Sequence, residues 1–295
     1  MPRALAEYAR RVSETPKGCM GELIERVLAH IAPKMSETTN KQYRKIGHKL
    51  KEILAEFSPE QIQGKHVAAI KVRYASTPFY ANRLVSVLRM VLGFAVEWQL
   101  ISSNPAIGIA RHTESKRERY ISDAEYEAIK NHAGERLRVI MDLCYLTGQR
   151  ISDVLRIRVA DLNDAGIAFR QQKTGARLVV LWSDDLRAVV ARAKSLHGNV
   201  RAMTLLHNRK GKAPDYGSVK HQWDVARKAA GVPDARIHDL RAKSLTDAKR
   251  QGFDAQTLAG HTDARMTARY IRLRETPEAT GPSFGHLLDV GQKSQ

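Results

Sequence analysis

The spacing of apolar residues in two long N-terminal segments constrains this 295-residue chain more than any other feature. Residues 36–57 place Tyr43, Ile46, Leu50, Ile53, Leu54 and Phe57 at three- and four-residue steps. Residues 78–99 do the same through Leu84, Val85, Leu88, Val91, Leu92, Ala95 and Val96. Such spacing returns the apolar side chains to one side of a helix, so both segments are read as amphipathic helices sharing a core. Ser102, Ser103, Asn104 and Pro105 are the expected stop of the second. With shorter helical candidates at 20–31 and 66–73, the first hundred residues make a small all-α bundle. The remaining length is enough for a second core.

Between Ala110 and Tyr120 runs RHTESKRER, charged and without periodicity, read as a linker over 111–120. It joins a helical domain at 19–110 to a second domain at 121–275, with an N-terminal arm at 1–18 and a C-terminal tail at 276–295. Ser122 and Glu125 form a capping box that opens the second domain. Helical patterns follow at 122–132, 135–146, 184–197, 216–230, 238–251 and 254–260, with a last helix after Thr262. Gly166–Gln171 and Ala176–Trp182 alternate around the turn Lys173-Thr174-Gly175, which reads as a β-hairpin. The fold class is therefore mainly α, with a small β-sheet in the second domain. The tail carries an apolar patch at Phe284, Leu287, Leu288 and Val290.

Charge narrows the partners. Lys and Arg number 49 against 31 Asp and Glu, a net charge of +18. An excess this large costs self-repulsion and points to a polyanion, with nucleic acid the default. Residues 1–110 hold 16 basic against 9 acidic side chains, and 111–295 hold 33 against 22. Both halves should therefore touch the polyanion, as a C-shaped clamp would. Candidate phosphate contacts are Lys41, Arg44, Lys45 and Arg83 in the helical domain, Arg111, Lys116, Arg117 and Arg119 in the linker, and Arg177 on the hairpin. Arg3, Arg10 and Arg11 either contact phosphate or lie on a solvated helix. No window approaches the ~18 uncharged apolar residues of a membrane span. The N-terminus lacks the apolar core of a signal peptide, so a cytoplasmic protein without a membrane partner is expected. Two distant cysteines, Cys19 and Cys144, exclude a disulfide framework or a Cys-based zinc site as an organising feature. There is no phosphate-binding GxxxxGK[ST] loop and no clustered metal-ligand motif, so neither a metal nor a cofactor is expected.

Four short pieces of the second domain carry candidate chemistry. In Thr147-Gly148-Gln149-Arg150 the glycine permits a tight turn that aims a guanidinium, and Asp153 at i+3 can orient it. In His238-Asp239-Leu240-Arg241 the histidine and arginine share one helical face while Leu240 points to the core. In Gly260-His261-Thr262-Asp263, Gly260 can end one helix and Thr262 or Asp263 can cap the next. That break is needed if His261 is to meet Tyr270, since nine residues of unbroken helix would set them on opposite sides. Lys173, in the hairpin turn, is a mobile cation. Each piece alone also fits an ordinary helix start or a solvated turn.

In order, Arg150, Lys173, His238, Arg241, His261 and Tyr270 resemble the active-site series of the tyrosine recombinase (phage integrase) family. TGQRISD, QQKTG, IHDLRAK and LAGHTDARMTARYIR are closest in wording to bacteriophage and prophage integrases. The resemblance extends to FAVEWQLISSNPA at the end of the helical region, which is similar to the family's SAM-like core-binding domain. It implies a DNA strand transferase, independent of metal and ATP, that cuts and rejoins duplex DNA through a 3′-phosphotyrosyl intermediate to integrate phage or mobile-element DNA. Tyr270 would be the nucleophile, His238 the base or proton relay, and Lys173 the acid for the 5′-oxygen. Arg150 and Arg241 would grip the phosphate, His261 would hydrogen-bond it, and Asp153 would orient from behind. The implied partners are duplex recombination sites, a tetramer of this chain on DNA with tails exchanged between protomers, and accessory DNA-bending proteins or a directionality factor. Alternative readings are a type IB topoisomerase, a chromosome- or plasmid-dimer-resolving recombinase, and a non-catalytic DNA-binding protein.

Overall fold

Both periodic N-terminal segments fold as helices in a computed structural model that describes residues 20–115, 117–196 and 202–271. The expected arm at 1–18, Lys116 and the expected tail at 276–295 lie outside the described residues. The chain divides into two units between Lys116 and Arg117.

The first unit contains α1 (Met20–Ile31), α2 (Glu37–Ile53), α3 (Gly64–Arg73) and α4 (Pro78–Glu97). Leu84, Leu88, Val91, Leu92 and Ala95 of α4 are fully buried with Leu23, Ile24, Val27, Leu50 and Val67. Helix α2 stops at Ile53, short of Phe57, whose carbonyl instead accepts the Met20 N–H at 3.0 Å. Helix α4 ends before the Ser-Ser-Asn-Pro stretch. Gln99 adopts φ 58° and the Leu100 N–H bonds the Ala95 carbonyl at 2.8 Å, a left-handed cap that satisfies the last turn. By length and composition α4 is apolar enough to cross a membrane, which corrects the expectation that no segment comes near. Leu84, Val85, Val87, Leu88, Val91, Leu92 and Ala95 face the bundle core, while Phe79 is exposed.

The expected linker is not a free strap. Asn82 of α4 exchanges two hydrogen bonds with the His112 backbone, at 2.8 and 2.9 Å, and the His112 ring meets the Lys71 carbonyl at 3.0 Å, so this end belongs to the first unit. Arg117 and Arg119 belong to the second unit. Arg117 grips the Asp239 carboxylate through Nε and Nη2, at 3.0 and 2.6 Å. Arg119 pairs with Glu125 at 2.6 Å and Asp234 at 2.8 Å. Both arginines were candidates for phosphate, and the structure commits them to protein carboxylates instead.

The second unit comprises α5 (Asp123–Asn131), α6 (Glu135–Thr147), α7 (Ile151–Val154), β1 (Gly166–Arg170), β2 (Arg177–Leu181), α8 (Asp184–Ser195), α9 (Tyr216–Ala229), α10 (Asp239–Arg250), α11 (Ala255–Ala259) and α12 (Ala264–Ala268). Ser122 and Glu125 form the expected capping box. The strands pair antiparallel from Gly166 opposite Leu181 to Arg170 opposite Arg177. A second small pairing, not expected from the sequence, ties Val159 N–H to the Met203 carbonyl at 2.9 Å and Leu205 N–H to the Ile157 carbonyl at 2.7 Å.

Helix α10 departs most from an amphipathic pattern. Its sequence DLRAKSLTDAKR is largely polar, yet every residue from Asp239 to Ala248 is buried. Most of its polar atoms find partners inside, the Arg241 Nε being the exception. Lys243 is ringed by Tyr120, Tyr126 and Tyr145 at 4.9–6.0 Å, pairs with Asp247 at 2.9 Å, and also bonds Asp123. Asp247 in turn accepts the Tyr120 and Tyr145 hydroxyls at 2.5 and 3.2 Å. Polar burial of this kind is tolerated because the charges are paired and hydrogen-bonded.

Candidate active site

The buried helix α10 carries His238 at its N-cap and Arg241 one turn on. Arg241 is 1% exposed and is held from two sides. Nη1 donates to the Gly148 carbonyl at 2.6 Å and Nη2 to the Ala259 carbonyl at 2.8 Å. Gly148 caps α6 at φ 63°, and a Cβ there would press within 3.0 Å of Leu258, so the glycine is needed for both the turn and the close approach. Arg241 Nε is buried and has no hydrogen-bond partner. A buried cationic N–H without an acceptor is costly, and an incoming anion would relieve it.

Gly260 ends α11 at φ 63° and Asp263 caps α12, which supplies the break the sequence required. His261 thereby turns back under Tyr270, with ring centroids 5.5 Å apart. Tyr270 also lies 5.7 Å from the His238 ring, and the Arg241 guanidinium carbon is 5.3 Å from the phenol centroid. Two histidines and an arginine thus surround one half-buried phenol. The Tyr270 backbone is tied by its N–H to the Thr267 carbonyl at 2.8 Å and by its carbonyl to the Thr246 hydroxyl at 3.2 Å.

Hydrogen bonding decides the His261 tautomer. Arginine has no acceptor, so the 3.1 Å contact from Arg241 Nη2 makes His261 Nε2 the acceptor, and Nδ1–H donates to the Thr267 hydroxyl at 3.0 Å. Burial, then Arg241 and Arg150, pushes His261 down to about 4. The expectation of a direct hydrogen bond from His261 to a phosphate needs correction for this state, because Nε2 is already engaged by Arg241. His238 is also pushed below its ordinary value, by desolvation first and then by Arg241, Arg150 and Lys173, with Asp239 opposing. His261 is therefore neutral at pH 7, and the same influences favour the neutral form of His238. Burial, then Arg150, draws the Arg241 guanidinium below the usual arginine range, with Tyr270 and Asp153 opposing. Behind it, burial pushes the Cys144 thiol up to about 12 against a pull from Arg241, so this cysteine stays protonated and is no rival nucleophile.

Arg150 sits at the N-cap of α7 with its side chain 12% exposed. Asp153 stands 4.0 Å from it, within ion-pair range, but the hydrogen bond is made to Gln171 at 2.7 Å. Asp153 instead accepts the Gln172 N–H at 3.1 Å, and its second oxygen is buried without a hydrogen bond. Lys173 is exposed in the hairpin turn, near enough for its charge to weigh on His238.

Residues 117–276 match the phage integrase family. The chain belongs to that family. It is 30% identical over 229 residues to the integrase of Escherichia phage HK022, a stretch covering 71% of this chain and 63% of that protein. It is 28% identical over 211 residues to the tyrosine recombinase XerC of Staphylococcus carnosus strain TM300, covering 65% and 70%. In structure it resembles a lambda integrase tetramer bound to a Holliday junction, with TM-score 0.80, 23% identity, and coverage of 92% of this chain and 83% of that one. The chain spans less than two thirds of the HK022 relative's length. Tyrosine recombinases of the phage integrase family are thus its relatives in sequence, and the mostly helical fold with a small antiparallel sheet is theirs.

The other basic candidates of this family member fall on both units. Lys41, Arg44 and Lys45 are exposed on α2, with Lys41 paired to Glu37 at 2.6 Å. Arg83 bonds Gln42 at 3.0 Å and covers the Tyr43 ring. Arg111 pairs with Glu114 at 3.4 Å. Arg177 is exposed opposite Arg170 at the hairpin tip. Sequence reasoning missed Gln149, Gln171, Asp239 and Thr267, which hold the site from behind. The readable signal was weak: polar residues at positions where a strand end or helix face should be apolar. Among the described residues no group of three or more His, Cys, Asp or Glu is placed to hold a metal ion.

Proposed function

We propose that the protein is a site-specific DNA recombinase that integrates phage or mobile-element DNA through a covalent tyrosyl intermediate. The observation that carries the reading is Tyr270, packed among His238, His261 and Arg241, beside a buried guanidinium N–H that lacks an acceptor. A phosphodiester under attack gathers negative charge on its non-bridging oxygens, and preorganised cations supply most of the acceleration. Arg241 Nε and Arg150 are the donors for those oxygens, and a guanidinium presents them in a fork that lysine cannot copy.

In this reading the Tyr270 oxygen forms a bond to phosphorus as the bond to the 5′-oxygen breaks. The phenolic proton passes to His238, whose neutral form is favoured by burial and the nearby cations, and Lys173 gives a proton to the departing 5′-oxygen. The 3′-phosphotyrosyl ester retains the free energy of the broken linkage, so a 5′-hydroxyl from another strand reverses the step. Assembly as a tetramer on paired DNA sites, in the cytoplasm of a bacterial host, belongs to the same proposal.

The test incubates the protein with nicked genomic fragments and isolates denaturation-resistant adducts. Wild type should trap a defined sequence. Tyr270→Phe should bind the same DNA and trap none, and an adduct from that variant would remove Tyr270 from its role. Efficient relaxation of a supercoiled plasmid that lacks the trapped sequence would instead favour a topoisomerase.

A further inference from the structure

Gln171 lies at the foot of the hairpin turn, 1% exposed, and its side chain makes four hydrogen bonds. Oε1 accepts from Arg150 Nη1 at 2.7 Å and from the Thr174 hydroxyl at 2.8 Å. Nε2 donates to Gln149 Oε1 and to the Ala259 carbonyl, each at 2.8 Å. These partners fix the amide's orientation, since Arg150 only donates and a backbone carbonyl only accepts, and they fill its whole hydrogen-bonding capacity. Its backbone closes the same turn, with N–H to the Ala176 carbonyl and carbonyl to the Gly175 N–H, both at 2.8 Å. Gln149, fully buried, extends the chain of bonds to the Leu258 carbonyl at 2.6 Å. A Cβ at Gly260 would come within 2.8 Å of Gln171 Nε2, so the residue before His261 is a glycine against which this amide fits.

We propose that Gln171 is the positioning residue of the reaction centre, setting the Arg150 guanidinium and the Lys173 turn against the segment that leads into His261. Three separate pieces of chain meet at this one amide. Its carbonyl holds Arg150 without neutralising it, whereas a carboxylate at the same place would compete with the phosphate for the cation. The neighbouring carboxylate, Asp153, is 4.0 Å from Arg150. The proposal rests on the recombinase reading for its consequence and on the hydrogen bonds for its geometry.

The experiment has two arms. In the first, Gln171→Met and wild type are compared in single-turnover adduct formation on the fragment that wild type traps, with DNA affinity measured in parallel. Adduct formation should fall by about 10²-fold, the scale of a misplaced catalytic group, while affinity stays within about twofold. In an Arg150→Ala background, Gln171→Met should add little, because both changes remove the same interaction. The second arm needs no DNA. NMR titration of His238 should show its midpoint rising in Gln171→Met, as Arg150 is released, and unchanged by that substitution once Arg150 is alanine. A loss of under about threefold, a loss that multiplies that of Arg150→Ala, or an unmoved His238 midpoint would overturn the assignment. If wild type itself forms no adduct, the recombinase reading fails while the titration still decides the role of Gln171. Should Gln171→Met unfold, Thr174→Val, at an exposed position, removes one of the two bonds that aim Oε1. It should cost about two- to tenfold in adduct formation, and no change would count against the proposal.

Discussion

An imidazole that already accepts a hydrogen bond from one arginine and feels a second is costly to protonate. His261 is in this position, with its folded value near about 4 against about 6.5 unfolded. Between those values the unfolded chain binds a proton that the folded chain refuses, so stability should fall as pH drops from about 6.5 towards 4 and be unaffected by His261 above that window. Urea midpoints measured across pH 4–8 should show a shallower acid loss for His261→Leu than for wild type. A steeper one would contradict the tautomer assigned here. His238 shifts in the same direction and adds to the wild-type slope. At this scale the meeting of His238, Arg241, His261 and Tyr270 was legible in the sequence, because their order and spacing carry the family resemblance. The groups behind them were not, because an amide such as Gln171 has no local signature of being a hub.

Helix α10 shows how elements are held. Its boundaries were readable to within about a residue, yet its polar sequence gave no sign of burial on nearly every side. The partners come from far away in sequence: Arg117 in the former linker on Asp239, and Tyr120, Tyr126 and Tyr145 around Lys243. Removing one member of a buried ion pair leaves the other desolvated and uncompensated. Lys243→Met should therefore destabilise by about 3–5 kcal/mol in urea unfolding. Lys243→Met combined with Asp247→Leu should recover much of that loss, since two apolar replacements leave no orphaned charge. Full additivity of the two losses would argue against a paired interior. Helix ends elsewhere were misjudged where a tertiary or left-handed cap intervened, as at Phe57 and Gln99.

For the whole molecule, the charge of +18 separates into cations that hold the protein and cations that, in the proposed recombinase reading, remain for DNA. Arg117 and Arg119 are of the first kind. Arg177 is of the second: it faces Arg170 across the hairpin, and like charges directly opposite are unfavourable until an anion lies between them. Arg177→Gln should lower the salt dependence of DNA binding by about one counterion without loss of stability, and Lys45→Gln should behave likewise. Arg117→Ala should leave the salt slope unchanged and lower stability instead. Equal slopes for all three variants would erase the distinction.

The amino-acid order by itself determined the helices, the hairpin, the basic character and the candidate residues of the proposed reacting centre, because periodicity, turn chemistry and motif spacing are local properties of the chain. Only the tertiary structure decided which polar side chains became neighbours. The Gln171–Arg150 bond, the Asp239–Arg117 pair and the Lys243 cage join residues roughly twenty to over a hundred positions apart. Such partners are chosen by how the helices pack, and burial then makes each pairing obligatory.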